Sequence, residues 1–202
     1  MRNTVSHDLR CQFFSYPPAP PPSPATTPAG ISEWYSPAEP GTGLHPRPPD
    51  ASALKAYVPE IDDSWSSVWY PSRLGEDFAA LHDRAAGFLN VFVPEIERRF
   101  AGKHKRILLV SHAATVIALT RSLVGDRDLS FRAACCSITV LDSKVAAAAE
   151  GDAVTVPPAV VGGWAVRLLA DGGHLKDGLQ RAWGFEDVVL VNGEVRVFIL
   201  EL

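Results

Sequence analysis

Apolar residues recur at helical spacing between Gly75 and Gly102, with polar and charged residues between them. This periodicity predicts one long amphipathic helix. Pro94 falls within the pattern, so the helix is expected to kink or divide there. Arg98 and Arg99 suit its carboxyl end, where cations oppose the helix dipole. The apolar positions are Phe78, Leu81, Ala85, Phe88, Leu89 and Phe92.

The run Ile107–Val110 is apolar at every position, which indicates a strand covered on both faces. A second helical pattern follows it directly and ends at Gly125. Helix, strand, helix and strand in this order predict an α/β fold built in layers. The later predicted strands are 133–142, 164–171 and a hairpin over 188–200 with Asn192 and Gly193 at its turn.

A proline-rich stretch lies near the N-terminus. Residues 16–30 contain repeated prolines, which excludes a helix or a central strand. Residues 31–70 show no regular periodicity but carry many aromatic residues, which is typical of a segment that lines a face or a site. We therefore expect residues 1–30 to form a remnant with a linker or long surface loop. Residues 31–202 are expected to form one domain.

Composition narrows the classes of function. The 202 residues carry a net charge of −4 and no long basic run, which argues against direct nucleic-acid binding. No apolar run approaches the roughly 20 residues needed to cross a bilayer, so no membrane association is expected. The three cysteines, Cys11, Cys135 and Cys136, suggest no disulfide framework. A cytoplasmic or nuclear protein fits these features.

His112 stands where the predicted strand meets the second helix. The amides at the start of a helix, here near Ala113, point outward and attract anions. A histidine beside them can donate to a phosphate oxygen. The alternative, equally open from this stretch, makes Ser111 the helix cap and His112 a bystander.

Three motifs, in this order along the chain, resemble those of the histidine phosphatase superfamily, also called phosphoglycerate-mutase-like. "ISEWYSP" resembles its acid-bearing motif, "GED" with "DRAAGFL" resembles a conserved helix start at Gly75 and Glu76, and "LLVSHAATVIAL" resembles its second histidine motif. The resemblance implies a three-layer αβα sandwich with a mostly parallel sheet. It also implies Glu33 as the general acid and His112 as a phosphate clamp rather than the nucleophile. A solvated loop carboxylate is the alternative for Glu33, and no metal or organic cofactor is implied.

Five segments are more closely similar to fungal proteins of one branch of this superfamily. That branch is related to the small histidine-phosphatase-fold subunit of TFIIIC, the RNA polymerase III assembly factor. The resemblance implies protein partners within a transcription assembly. The segments are "GISEWYSP", "GLHPRP", "VSHAATVIALTRSLVG", "FRAACCSI" and "LLADGGHLKDGLQRAWGF".

The Arg-His-Gly signature that carries the nucleophile in this superfamily does not occur in the chain. We therefore expect the chain to begin inside the domain and to lack the first strand and helix of the fold. "SHDLRC", at Ser6–Cys11, matches a spacing that supplies another phosphate-binding arginine in the branch. Arg10 is thus a candidate phosphate ligand, and a frayed N-terminal arginine is the alternative.

Three hypotheses on function follow from these features. The chain is related to phosphomonoester phosphatases that act on a phosphorylated small molecule or a phosphoprotein, and it is expected to be inactive because the nucleophile is missing. Alternatively, it is a non-catalytic subunit or interaction module of a TFIIIC-like assembly. A truncated paralogue or incomplete gene is the third hypothesis. The candidate catalytic residues are Glu33 and His112, and the candidate phosphate ligands are Arg10, His112 and Ala113.

Overall fold

The computed structural model describes residues 13–15, 28–100, 103–144, 159–191 and 194–197. Its helices are α1 (Ala51–Lys55), α2 (Phe78–Phe100) and α3 (Ala113–Val124). Its strands are β1 (Phe13–Ser15), β2 (Ile107–Leu109), β3 (Ala133–Cys135), β4 (Ile138–Ser143), β5 (Trp164–Asp171), β6 (Gln180–Trp183), β7 (Val188–Val191) and β8 (Glu194–Val197). Short 3-10 turns lie at Ala29–Ile31 and Phe185–Asp187.

The long helix predicted from apolar periodicity is confirmed as α2. The Asp77 carboxylate accepts a hydrogen bond from the Ala80 amide at 2.8 Å and so caps the first turn. The helix continues through Pro94, so the expected division does not occur. Proline leaves the carbonyl four residues earlier unpaired, and that carbonyl belongs to the exposed residue Asn90. The buried side of α2 includes Leu81, Ala85, Phe88, Leu89 and Phe92.

The second predicted helix is confirmed as α3, and it ends where the sequence indicates. Gly125 has a φ of 81°, in the left-handed region that favours glycine. The amides of Gly125 and Asp126 both donate to the Arg121 carbonyl, at 2.9 and 3.1 Å, and so pair a carbonyl of the last turn. A side chain at position 125 would also press against the backbone of Gly162.

Strand β2 is less buried than its apolar sequence predicts. The side chain of Leu109 packs against the core, but Ile107 and Leu108 are 43% and 48% exposed. The expectation of a strand covered on both faces is therefore wrong for the described part of the chain. An unbroken apolar run shows that the side chains of a strand are suited to burial. Whether they are buried depends on which strands and helices pack beside that strand.

All four strand pairs in the described ranges are antiparallel: β1 with β2, β3 with β6, β4 with β5, and β7 with β8. The chain is α/β as expected, but the mostly parallel sheet and the three-layer sandwich are not confirmed. One reason for the difference is a turn within a predicted strand. The single strand expected at 133–142 is divided by a tight turn, in which Cys136 has a φ of 59° and the Ser137 amide donates to the Ala134 carbonyl. The two halves, β3 and β4, then pair with different strands.

The C-terminal hairpin is confirmed in its pairing. Val191 lies opposite Glu194 and Val188 lies opposite Val197, so only two residues join β7 to β8. This register is the one that Asn-Gly at the turn predicts. The division of the chain into residues 1–30 and 31–202 stays a prediction.

The main core lies between α2, α3 and the irregular segment that precedes them. Ile31 and Trp65 contribute to it from that segment, beside the apolar face of α2. Gly30 lies directly against the ring of Phe88, and a Cβ at this position would overlap the ring. This close approach requires glycine and fixes the path of the chain just before Glu33.

Candidate functional site

Glu33 and His112 lie in direct contact. Glu33 Oε2 is 2.7 Å from His112 Nδ1, and the two side chains are 38% and 25% exposed. The other carboxylate oxygen, Oε1, accepts a hydrogen bond from the Trp34 amide at 2.9 Å. The structure thus brings together the two residues that sequence motifs mark as candidate catalytic groups, and it leaves both partly open to solvent.

His112 occupies the N-cap position of α3, with extended backbone angles. Its side chain makes no capping bond to the helix, because Nδ1 faces Glu33. Ser111 is not the cap, since its hydroxyl donates to the Ile31 carbonyl at 2.6 Å. Ala113 is the first residue of α3, so the outward-pointing amides of a helix start lie next to the imidazole ring.

Two residues near His112 form hydrogen bonds to the segment that carries Glu33. Ser111 binds the Ile31 carbonyl, as above, and the buried Thr115 hydroxyl donates to the Ser32 carbonyl at 2.9 Å. Both bonds connect the start of α3 to the residues just before Glu33. They fix the separation of the two candidate catalytic groups through the backbone rather than through the exposed pair alone.

A buried ion pair adds a third connection. Arg84 Nε lies 2.9 Å from both carboxylate oxygens of Glu76, and these side chains are 2% and 6% exposed. Arg84 Nη1 donates to the Gly30 carbonyl at 2.8 Å and to the Ser32 carbonyl at 3.3 Å. Glu76 therefore orients an arginine that holds the Glu33 segment.

Arg84 was missed as a functional candidate, although the sequence carries a signal for it. It lies on the apolar side of α2, three residues after Leu81 and four before Phe88. Charged residues are almost never fully buried unless they are paired, so an arginine in an apolar stripe predicts a carboxylate partner. The Glu76 of the "GED" motif is that partner.

An aromatic cluster lies behind the Glu33 segment. Trp34 Nε1 donates to the Glu76 carbonyl at 2.8 Å, and the Trp34 ring lies 5.4 Å from that of Phe78. Trp183 and Phe185, from the "QRAWGF" stretch, lie 6.3 and 6.4 Å from Trp34. These contacts give Trp34 a structural role and connect the C-terminal part of the chain to the site.

Tyr35 and His45 connect two of the motifs noted in the sequence. Their rings stack with centroids 4.8 Å apart, and His45 Nε2 donates to the Ser36 carbonyl at 2.8 Å. The "GLHPRP" segment thus packs against the "SEWYSP" segment. Through these two contacts His45 stabilises the loop that follows Glu33.

The remaining candidate ligand, Arg10, lies outside the described residues. Within the described ranges, no group of three or more His, Cys, Asp or Glu side chains is arranged to hold a metal ion. No helix found in those ranges is long and apolar enough to cross a membrane.

The geometry defines what the pair can do chemically. A carboxylate can only accept, so His112 Nδ1 carries the proton that faces Glu33. A ligand at this site would therefore meet the second ring nitrogen, Nε2. When the ring is protonated, Nε2 also donates, and together with the amides at the start of α3 it suits an oxyanion.

Comparisons with known proteins agree with these features. The family model described as histidine phosphatase superfamily (branch 1) matches residues 47–147, half of the chain, and this range contains α2, His112 and α3. The chain is also 34% identical over 97 residues to the transcription factor tau 55 kDa subunit of Saccharomyces cerevisiae. That alignment covers 48% of this chain and 22% of the yeast protein. The chain belongs to the histidine phosphatase superfamily, in branch 1, and is similar to a yeast transcription factor subunit.

Proposed function

We propose that this chain is a non-catalytic histidine-phosphatase-type subunit of a TFIIIC-like transcription assembly, and that its Glu33–His112 site holds an oxyanion without turning it over. The assembly role is supported by the 34% identity to the tau 55 kDa subunit. Its partners are other protein subunits rather than nucleic acid, which the net charge of −4 does not favour. Such a role places the protein in the nucleus.

The single observation that carries the oxyanion site is the 2.7 Å contact between Glu33 and His112 at the start of α3. In this proposal His112 donates to the oxyanion through Nε2, and the Ala113 amide donates beside it. Arg10 is proposed as a further ligand. Glu33 holds the ring in the tautomer and orientation that binding needs, as a carboxylate partner commonly does for histidine.

The proposed lack of turnover rests on the number of catalytic groups. Transfer through phosphohistidine needs a nucleophilic histidine, and separately an acid that protonates the leaving oxygen. The 202-residue sequence has no Arg-His-Gly signature, and His112 is engaged with Glu33. One histidine cannot serve as both nucleophile and clamp, and loss of one member of such a unit removes most of the rate.

A generic aryl phosphate assayed over a pH series tests this part of the proposal. We expect the 202-residue protein to release no more phosphate than a His112→Ala variant, which controls for contaminating phosphatases. Turnover well above that variant would favour a second candidate function, a phosphomonoester phosphatase acting on a phosphorylated small molecule or a phosphoprotein. The retained contact between Glu33 and His112 is the observation that supports this second candidate.

The assembly role is tested by quantitative affinity purification. The tagged chain would be expressed in its native organism, and the subunits of its RNA polymerase III transcription factors would be counted by mass spectrometry. We expect these transcription factor subunits to be enriched over a tag-only control. We also expect them in amounts close to that of the tagged chain. Their absence, with the tagged chain recovered intact and folded, would contradict the assembly role.

A further inference from the structure

Two neighbouring cysteines, Cys135 and Cys136, occupy the tight turn between β3 and β4, and both are exposed. The turn runs from Ala134 to Ser137, so the cysteines are its two central residues. The amide and the hydroxyl of Ser137 both donate to the Ala134 carbonyl, at 3.1 and 2.9 Å. The Ala134 amide donates to the Ser137 hydroxyl oxygen at 3.1 Å. These bonds close the turn and fix the backbone that carries the two thiols.

The backbone angle of Cys136 sets the direction of its side chain relative to that of Cys135. Successive side chains of an extended strand point to opposite faces. Cys135 is the last residue of β3, but Cys136 has a φ of 59°, where a strand residue has about −140°. This difference is about half a turn around the N–Cα bond, so it moves the Cys136 side chain to the side on which the Cys135 side chain lies. The two exposed thiols are therefore neighbours in space as well as in sequence.

Both strands that flank the turn face a bulge in their partner strand. In β6 one extra residue lies opposite the end of β3, and Arg181 there has a φ of 53°. In β5 one extra residue lies opposite the start of β4, and Ala170 there has a φ of 45°. Together with Cys136, these are the non-glycine residues of positive φ in the described ranges. Bulges redirect side chains and are frequent beside functional sites, so the local backbone strain is concentrated around this pair of thiols.

A cysteine at position 136 has a conformational cost. The left-handed region is favourable for glycine and unfavourable for a residue with a side chain. The bonds between Ala134 and Ser137 hold the turn closed around that residue. Glycine would relieve the strain, but it would remove the second thiol.

A disulfide between adjacent residues is strained. Their Cα atoms are about 3.8 Å apart, below the roughly 4.4–6.8 Å of ordinary disulfides. Strained and exposed disulfides are readily reduced, so they act as transient redox bonds rather than as structural ones. Such a bond suits a compartment that keeps thiols reduced at rest.

We infer that Cys135 and Cys136 form an oxidation site at which a peroxide closes a disulfide between the two residues. One thiol attacks an oxygen of hydrogen peroxide, becomes a sulfenic acid and releases water. The neighbouring thiol then attacks the sulfenic sulfur, and the hydroxyl group leaves as a second water molecule. The two thiols together lose two hydrogens and two electrons, and the peroxide is reduced to water. This site is separate from the proposed oxyanion site and does not depend on the proposed function.

Peptide mass spectrometry of the 202-residue protein after treatment with hydrogen peroxide tests this site. Trypsin cleaves after Arg132 and Lys144, so the peptide of residues 133–144 carries both cysteines and excludes Cys11. We expect this peptide to become lighter by two hydrogen atoms and to regain them with dithiothreitol. A peptide that is unchanged, that gains oxygen atoms, or that is cross-linked to another peptide would overturn the inference.

Serine variants identify the bond that forms. A cyclic sulfenamide, in which one cysteine sulfur bonds to a backbone nitrogen, has the same mass as the disulfide. We expect Cys135→Ser and Cys136→Ser each to abolish the loss of two hydrogens, because each leaves one thiol in the peptide. Cys11→Ser is the matched control and should leave the loss unchanged. A single variant at position 135 or 136 that still loses two hydrogens, or a Cys11→Ser protein that does not, would contradict the assignment.

A comparison of the folded and unfolded chain tests the part played by the turn. The protein is equilibrated with reduced and oxidised glutathione, in buffer and in urea, and the disulfide in the 133–144 peptide is measured after acid quenching. We expect the equilibrium constant for closure to be about tenfold larger in the folded protein, because an unfolded chain seldom adopts the left-handed angle at Cys136. An equal or smaller constant in the folded protein would show that the turn does not place the two thiols side by side.

Discussion

The Thr115 hydroxyl donates to the Ser32 carbonyl at 2.9 Å, and both residues are buried. Thr115 lies one turn along α3 from His112, and Ser32 immediately precedes Glu33. This one bond therefore couples the helix that carries the histidine to the loop that carries the acid. The partly exposed Glu33–His112 contact is positioned by this buried bond and by the bonds of Arg84 to the same segment.

Thr115→Val removes this bond while nearly preserving shape. We expect a loss of about 1–2 kcal/mol in the free energy of unfolding, because the buried Ser32 carbonyl keeps only the longer bond from Arg84. Urea denaturation measures it. Thr120→Val is the matched control, since Thr120 is buried in the same helix and its hydroxyl does not bond to Ser32. The His112 ring signals in NMR spectra of both variants give a second measurement. If Thr115→Val and Thr120→Val changed stability and these signals equally, the proposed coupling of α3 to the Glu33 loop would be wrong.

Arg84→Met leaves the Glu76 carboxylate buried without its partner. We expect a loss of roughly 3–5 kcal/mol in the free energy of unfolding, since breaking a buried pair strands a charge. Asp83→Asn breaks the exposed pair with Arg127 and should cost only about 0–1 kcal/mol. The same denaturation series measures both variants. A small effect of Arg84→Met would mean that the buried pair does not hold the Glu33 segment.

The local elements of this fold could be predicted from sequence, because the signals that define them are local. The apolar spacing that begins at Phe78 specifies α2, and Gly125 specifies the end of α3. The Asn-Gly pair in the sequence predicts the register that β7 and β8 adopt. These elements depend on helical periodicity and on the few residues that adopt special backbone angles.

The tertiary features could not be predicted in the same way. The exposure of Ile107 and Leu108 depends on which strands lie beside β2, and an apolar run carries no information on its neighbours. The turn at Cys136 has no glycine or proline to mark it. The motif resemblance did identify Glu33 and His112, but the bonds from Arg84 and Thr115 that position Glu33 join residues far apart in the chain.

His82 makes stability depend on pH. Burial lowers the pKa of His82, the charges of Arg121 and Arg127 lower it further, and the Phe78 carbonyl and Asp83 oppose the shift. Its Nδ1 donates to the Phe78 carbonyl at 2.6 Å, and its buried Nε2 has no partner among the described residues, so a proton there lacks an acceptor.

The direction of the pH effect follows from that shift. The unfolded chain binds the proton more readily, so the contribution of His82 is complete above its ordinary pKa of 6.5 and is lost as the pH falls through the lowered pKa of the folded state. We expect His82→Gln to flatten the fall in melting temperature between about pH 7 and pH 5. His174→Gln, at an exposed site, should leave the profile unchanged. Parallel profiles for His82→Gln and the unmodified protein would contradict this assignment.

The oxyanion site is tested most directly by following the histidine ring nitrogens of the isotope-labelled protein by NMR during a titration with inorganic sulfate. Sulfate keeps its charge across the useful pH range, so any change reports on the protein. We expect a saturable shift of His112 Nε2 below roughly tens of millimolar sulfate. His174 should not move, and the His112 response should weaken in Glu33→Gln, which keeps the size of the side chain but not its charge. A His112 ring that does not respond, or that only follows His174, would contradict the proposed site.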